Sequence, residues 1–123
     1  PSIGERIAAE AMPELLEANE NTIQQGCDAY GEPWRLTQDG RVPLKHAAGA
    51  LRFSVRGSTI IVMLEGVEVA HHIGFARGYR GGTLMRRPII PERSSRGGSR
   101  AKGLPEEWVD IIRRITEEEL GLA

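Results

Sequence analysis

Residues 51 to 64 carry the pattern of a β-hairpin. Apolar and polar residues alternate from Leu51 to Arg56, which is typical of a strand with one buried face. A Gly-Ser turn follows, and the β-branched run from Thr59 to Leu64 predicts the returning strand. Because this second strand is apolar on both faces, we expect a covering layer on each side of it.

An amphipathic helix is predicted before the hairpin, from about residue 3 to 26. Ser2 and the acid three residues later have the spacing of a capping box, and apolar residues recur every fourth position. Pro13 lies inside this helix, so a kink or a break is expected near it. Gly26 or Gly31 is expected to end the helix.

A second amphipathic helix is predicted near the end of the chain. Pro105 and the two acids after it suit a first helical turn, and Gly121 suits a helix end. Its buried stripe follows the i, i+3, i+4, i+7 spacing and consists of Trp108, Ile111, Ile112 and Ile115.

The remaining segments contain more turn signals than periodicity. Residues 31 to 49 predict a long loop, and residues 67 to 73 fit either a short helix or an extended stretch. The glycine-rich stretch 74–82 predicts a mobile loop. Residues 83 to 90 predict a last strand, and Pro88 places the end of this strand at a sheet edge or outside the ladder. Residues 92 to 103 predict a flexible basic linker before the last helix.

These elements predict one domain over residues 1 to 123. At this length a single hydrophobic core is the default. Strands grouped between helices predict an α+β fold, in which a small, mainly antiparallel sheet is packed by an N-terminal and a C-terminal α-helix, with long loops.

Charge is distributed unevenly along the chain, although the net charge is only −1. The segment from Arg77 to Lys102, called here the basic segment, holds one acid, Glu92, and has a net charge of +7. Such asymmetry suggests an acidic partner surface, a neighbouring copy of the chain, or nucleic acid. Its basic residues are Arg77, Arg80, Arg86, Arg87, Arg93, Arg96, Arg100 and Lys102.

Aromatic residues Phe75 and Tyr79 lie within or beside the basic segment. Arginine with aromatics suits single-stranded nucleic acid, through stacking and phosphate contacts. The same residues are enriched in protein interfaces, and a solvated loop without a partner is the third reading.

Cysteine content and hydropathy indicate a soluble protein made in a reducing cytoplasm. Cys27 is the only cysteine, so no intrachain disulfide can form. The longest apolar run, from Ile60 to Leu64, is far shorter than the ~20 residues that cross a bilayer. We therefore expect no membrane partner.

The chain contains no convincing catalytic or metal-binding motif. His71 and His72 are adjacent, so their side chains diverge, and no cysteine or histidine pair has zinc spacing. Ser99 and Lys102 match Ser-x-x-Lys only in a polar tract without apolar cover. We expect neither enzymatic activity nor a cofactor nor a metal.

Three segments resemble the bacteriophage virion-morphogenesis family, also called tail-completion or neck proteins. They occur in the family's order and spacing over roughly residues 31 to 115. The family's segment Tyr-Ala-x-x-His-Gln-Phe-Gly is represented only by the shorter stretch from Val69 to Gly74. The three segments are Gly31-Glu32-Pro33-Trp34, Gly49-Ala50-Leu51-Arg52-Phe53-Ser54-Val55 and Arg87-Pro88-Ile89-Ile90-Pro91.

The resemblance implies a non-enzymatic structural protein of the virion, synthesised in the host cytoplasm. Such a subunit joins a homo-oligomeric ring at the head–tail junction or tail end and contacts other neck or tail subunits, with DNA possible in the ring lumen. We expect the basic segment, including Tyr79, to form the partner interface. The motif positions expected to be structural are Pro33, Trp34, Gly49, Leu51, Arg52, Ser54 and Pro88.

Two other functions compete with this hypothesis. A small nucleic-acid-binding protein would use Arg77 to Lys102, and its affinity would fall steeply with salt. A hydrolase or metalloenzyme built on His71, His72 and Ser99 is the least favoured alternative.

Overall fold

The computed structural model describes residues 1–44, 46–66, 68–73, 86–91 and 103–122. Two long helices and a two-stranded antiparallel sheet form the framework, as the α+β prediction requires. In chain order the elements are helix α1 (Ile3–Gln24), a 3₁₀ turn (Ala47–Ala50), strand β1 (Leu51–Arg56), strand β2 (Thr59–Leu64), helix α2 (Glu68–Ile73) and helix α3 (Glu106–Glu119).

Helix α1 begins and ends as its sequence predicts. The Ser2 hydroxyl accepts a hydrogen bond from the Glu5 amide at 3.2 Å, which caps the first turn. Gly26 has a φ of +78° and follows the last turn, and the Cys27 amide donates to the Thr22 carbonyl at 2.8 Å. The positive φ and this hydrogen bond are features of a Schellman motif. The helix is continuous across Pro13, so the expected break does not occur.

Helix α3 packs its predicted stripe onto α1. Trp108 and Ile115 are buried, and they pack with Ala11, Leu15 and Ala18 of α1 in a cluster called here the first core. The first turn of α3 is acidic. Gly121, which has a φ of +72°, follows the last turn of the helix.

The hairpin has the predicted strands and turn. Its inner face carries Leu51, Phe53 and Val55 opposite Leu64, Val62 and Ile60, and this face packs against the helices. Its other face, called here the outer hairpin face, pairs Arg52 with Met63, Ser54 with Ile61 and Arg56 with Thr59. Met63 is 50% exposed, so the layer expected on both sides of β2 covers only the inner side among the described residues.

A second core lies at the C-terminal end of α1. It consists of Ile23, Trp34, Ala47, Leu51 and Ile89, all buried, and Phe53 packs against both cores. Residues from five separate segments therefore close this end of the domain.

The prediction of a strand over residues 83 to 90 is wrong for residues 86 to 90, which adopt no strand. The backbone donors there bind α2 instead of a sheet neighbour. The Arg87 amide donates to the His71 carbonyl at 2.8 Å, and the Ile89 amide donates to Nδ1 of His72 at 2.9 Å. Pro88 between them has no N–H to offer. Residues 67 to 73 were predicted to form either a short helix or an extended stretch, and Glu68–Ile73 form the short helix α2.

Several predictions lie outside the described residues. They are the mobile loop over 74–82, the start of the predicted strand over 83–85, and the basic linker apart from Gly103.

Candidate assembly surfaces

The three motif segments meet in the second core. Trp34, Leu51 and Ile89 come one from each segment, and each is at least 94% buried. The Trp34 indole Nε1 donates to the Pro88 carbonyl at 2.6 Å, which joins the first segment to the third. One partly buried hydrogen bond between residues 54 positions apart in sequence, together with one apolar cluster, thus holds the three segments together.

Four of the other motif positions lie at the surface, whereas Pro88 is half-buried. Pro33 is exposed and forms an isolated bridge with Cys27, and Gly49 is exposed in the 3₁₀ turn. Arg52 donates to the Gly49 carbonyl at 2.8 Å, which ties the turn to β1. Ser54 is exposed on the outer hairpin face.

Asn19 also holds the third segment, and the sequence analysis did not single it out. Its side chain is fully buried, and its Nδ2 donates to the Ile89 carbonyl at 3.0 Å. The signal was present in the sequence, because Asn19 continues the row of every fourth residue that runs through Ile7, Ala11 and Leu15. A polar residue on such an apolar row indicates a buried hydrogen bond.

His72 completes the attachment of this segment. Its Nδ1 accepts the Ile89 amide proton, so the ring is neutral with its proton on Nε2. Burial lowers the pKa of His72 below its usual value, and the nearby Arg86 lowers it further. Protonation at Nδ1 would remove the acceptor that Ile89 uses.

We expect acid to weaken this attachment. Because the pKa of His72 is lower in the folded protein, its contribution to stability is present above pH ~6.5 and is lost as the pH falls through the folded pKa. His72→Leu should lower the free energy of unfolding by about 1 kcal/mol at pH 8. Urea denaturation at pH 8 and pH 5 measures both effects.

His72→Asn is the matched control, because its amide oxygen can accept the same proton and does not titrate. The variant should lose less stability between pH 8 and pH 5 than the natural protein does. Equal losses in the two proteins would contradict the role assigned to His72.

The predicted interface residues are only partly described. Arg86 and Arg87 are half-buried, and Nε of Arg87 donates to the Arg35 carbonyl at 3.2 Å. Arg87 therefore has a contact within the domain, and the charge of Arg86 contributes to the lowered pKa of His72. Arg77, Tyr79, Arg80, Arg93, Arg96, Arg100 and Lys102 lie outside the described residues.

Helices α1 and α3 together form a strongly acidic surface, called here the acidic helix face. They carry eleven acidic and three basic side chains, and none of the eleven acids is buried. An open groove of about 280 Å³ runs between the helices. It is lined by Glu14, Glu17, Ala18, Asn21, Glu107 and Ile111.

Ion pairs between the helices offset part of this charge. Arg6 pairs with Glu119 at 3.0 Å, and Arg114 pairs with Glu14. A hydrogen bond with Glu119 raises the pKa of Glu10, with smaller contributions from desolvation and from the negative charges nearby. The raised pKa of Glu10 is consistent with the close spacing of negative charges on this face.

The described residues contain no group of three histidine, cysteine or acidic side chains arranged to hold a metal ion. None of their helices has the length and the apolar character needed to cross a membrane.

Comparison of the chain with protein-family models, with curated proteins and with solved structures found no match.

Proposed function

We propose that this chain is a structural virion protein, a subunit of an oligomeric ring at the head–tail junction or tail end of a bacteriophage. The proposal starts from the resemblance of three segments to the virion-morphogenesis family. Those segments supply Trp34, Leu51 and Ile89 to one buried cluster, as residues that maintain a shared framework should. Because these residues are buried, contacts with partners would be made by other residues, at the surface of the domain.

One observation carries the proposal: two unlike surfaces lie on opposite sides of the fold. The hairpin packs its inner face on α1 and α3, so the outer hairpin face and the acidic helix face point away from each other. A subunit with two different, opposed surfaces can make the same head-to-tail contact repeatedly, and such contacts close into rings when the rotation allows.

The acidic helix face favours a protein partner over nucleic acid for the described part of the chain. Its net charge of −8 would repel phosphates. The basic segment in the sequence offers an opposite charge for assembly between copies or between neighbouring rings.

The experiment is a disruption of the coding sequence in the phage genome that contains it. We expect infectious titre to collapse, and electron microscopy should show heads and tails that have not become joined or completed. A copy supplied in trans should restore both. Mass spectrometry of purified natural particles should detect the protein in a fixed stoichiometry.

Normal titre after disruption, or purified particles without the protein, would overturn the proposal. A salt-sensitive association of the purified protein with single-stranded oligonucleotides, together with its absence from particles, would favour the nucleic-acid-binding alternative instead.

A further inference from the structure

The outer hairpin face is an apolar patch between arginines. Met63 is half exposed and Ile61 is partly exposed, with Arg52 and Arg56 on the neighbouring strand. No described element packs on this face. Exposed apolar side chains with arginine beside them are typical of the centre of a protein interface.

Arg56 is the cation of this face that is available to a partner. It forms no ion pair with any described residue, whereas Arg52 pairs with Glu65 at 3.3 Å. Arg56 lies at the turn end of β1, beside Thr59. A partner that approaches the outer hairpin face therefore meets an uncompensated positive charge at one end and an apolar surface in the middle.

The groove of the acidic helix face has the complementary composition. Glu17 and Glu107 line it and form no ion pairs with described residues, and Ala18 and Ile111 contribute apolar surface. A guanidinium on an aliphatic stem matches such a groove, since its stem packs on apolar atoms while its head group meets carboxylates.

We infer that the outer hairpin face of one copy docks on the acidic helix face of a second copy. This inference rests on the proposed function and names the surfaces through which its ring would form. The contact pairs Arg56 with the carboxylates of Glu17 and Glu107, and Met63 with the apolar part of the groove. Because the two surfaces differ and oppose each other, every copy has one of each, and the contact repeats head to tail.

Two variants test the contact, each altering one surface. Arg56→Glu with Met63→Glu alters the outer hairpin face, and Glu17→Lys with Glu107→Lys alters the acidic helix face. All four side chains are exposed, so the domain should fold in both variants, which circular dichroism checks. Gln38→Lys with Asp39→Lys is the control, because it adds positive charge to a loop that belongs to neither surface.

Native mass spectrometry and light scattering measure the assembly. The natural protein and the control should form the same oligomer, and each surface variant alone should associate more than about tenfold more weakly. An equimolar mixture of the two variants should form a one-to-one complex, because each retains the surface that the other has lost.

A natural protein that remains monomeric overturns the inference, as do surface variants that assemble normally or a mixture that yields no complex. These results are separate from the fate of the proposed function, which depends on titre and on the presence of the protein in particles. A particle protein with a different interface would retain the function and refute the docking contact.

Discussion

Truncation of Trp108 to alanine is expected to lower the free energy of unfolding by about 3–5 kcal/mol. Its indole is 97% buried in the first core, and its ring lies 5.7 Å from that of Phe53 at an interplanar angle of 59°. The side chain therefore joins α3 to both α1 and the hairpin. Because domains of this size are stable by only about 5–15 kcal/mol, such a loss would leave much of the protein unfolded under mild stress.

Urea denaturation followed by circular dichroism measures this loss. Val109→Ala is the matched control, since Val109 neighbours Trp108 on α3 and is only partly buried; it should cost about 1 kcal/mol or less. Trp108→Phe should fall between the two, because it keeps an aromatic ring against Phe53. A cost below about 1 kcal/mol for Trp108→Ala would mean that α3 does not pack on the hairpin as described.

The main elements could be predicted because their signals are local. Ser2 caps α1, Gly26 ends it, and the alternation from Leu51 to Arg56 matches the burial of β1 residue by residue. Pro13 does not break α1, because the missing hydrogen bond is outweighed where Ala11 and Leu15, on either side, are buried against α3.

Residues 86 to 91 could not be predicted because their partners are distant in sequence. A run of apolar residues around Pro88 is compatible with a strand, and nothing local distinguishes the two cases. The conformation of residues 86 to 91 is determined instead by Trp34, Asn19 and His72, which lie in three other segments. Trp34 and Asn19 donate to carbonyls of this stretch, and His72 accepts from one of its amides.

The candidate surfaces were predictable in composition and unpredictable in arrangement. The acidic content of both helices is visible in the sequence, but only the packing of α3 on α1 gathers it around one groove. The two apolar faces of β2 predicted two covering layers. Among the described residues, the helices cover only one face of the two-stranded sheet, and Met63 on the other face is exposed. The docking contact inferred above would supply the second layer.

Asn19→Asp is expected to lower the free energy of unfolding by about 3–5 kcal/mol at pH 8. The substitution removes the amide that donates to the Ile89 carbonyl and leaves a carboxylate facing that oxygen in a fully buried position. The side-chain oxygen of Asn19, Oδ1, has no partner among the described residues, so no donor is available to compensate the new charge.

The defect should diminish in acid, with a predictable sign. Burial raises the pKa of the introduced carboxyl above its unfolded value of about 3.9, so the destabilisation is small below that pH and grows until the pH passes the folded pKa. A protonated carboxyl can also donate to the Ile89 carbonyl. Urea denaturation of variant and natural protein from pH 4 to pH 8 measures the difference in free energy.

Asn21→Asp is the control, because Asn21 lies on the same helix two residues later and is exposed. That variant should differ from the natural protein by less than about 0.5 kcal/mol at every pH. If the two substitutions had equal effects, or if the Asn19→Asp defect did not depend on pH, Asn19 could not be the buried donor that holds the third motif segment in the second core. The convergence of the motif segments would then rest on the Trp34 indole and on apolar packing alone.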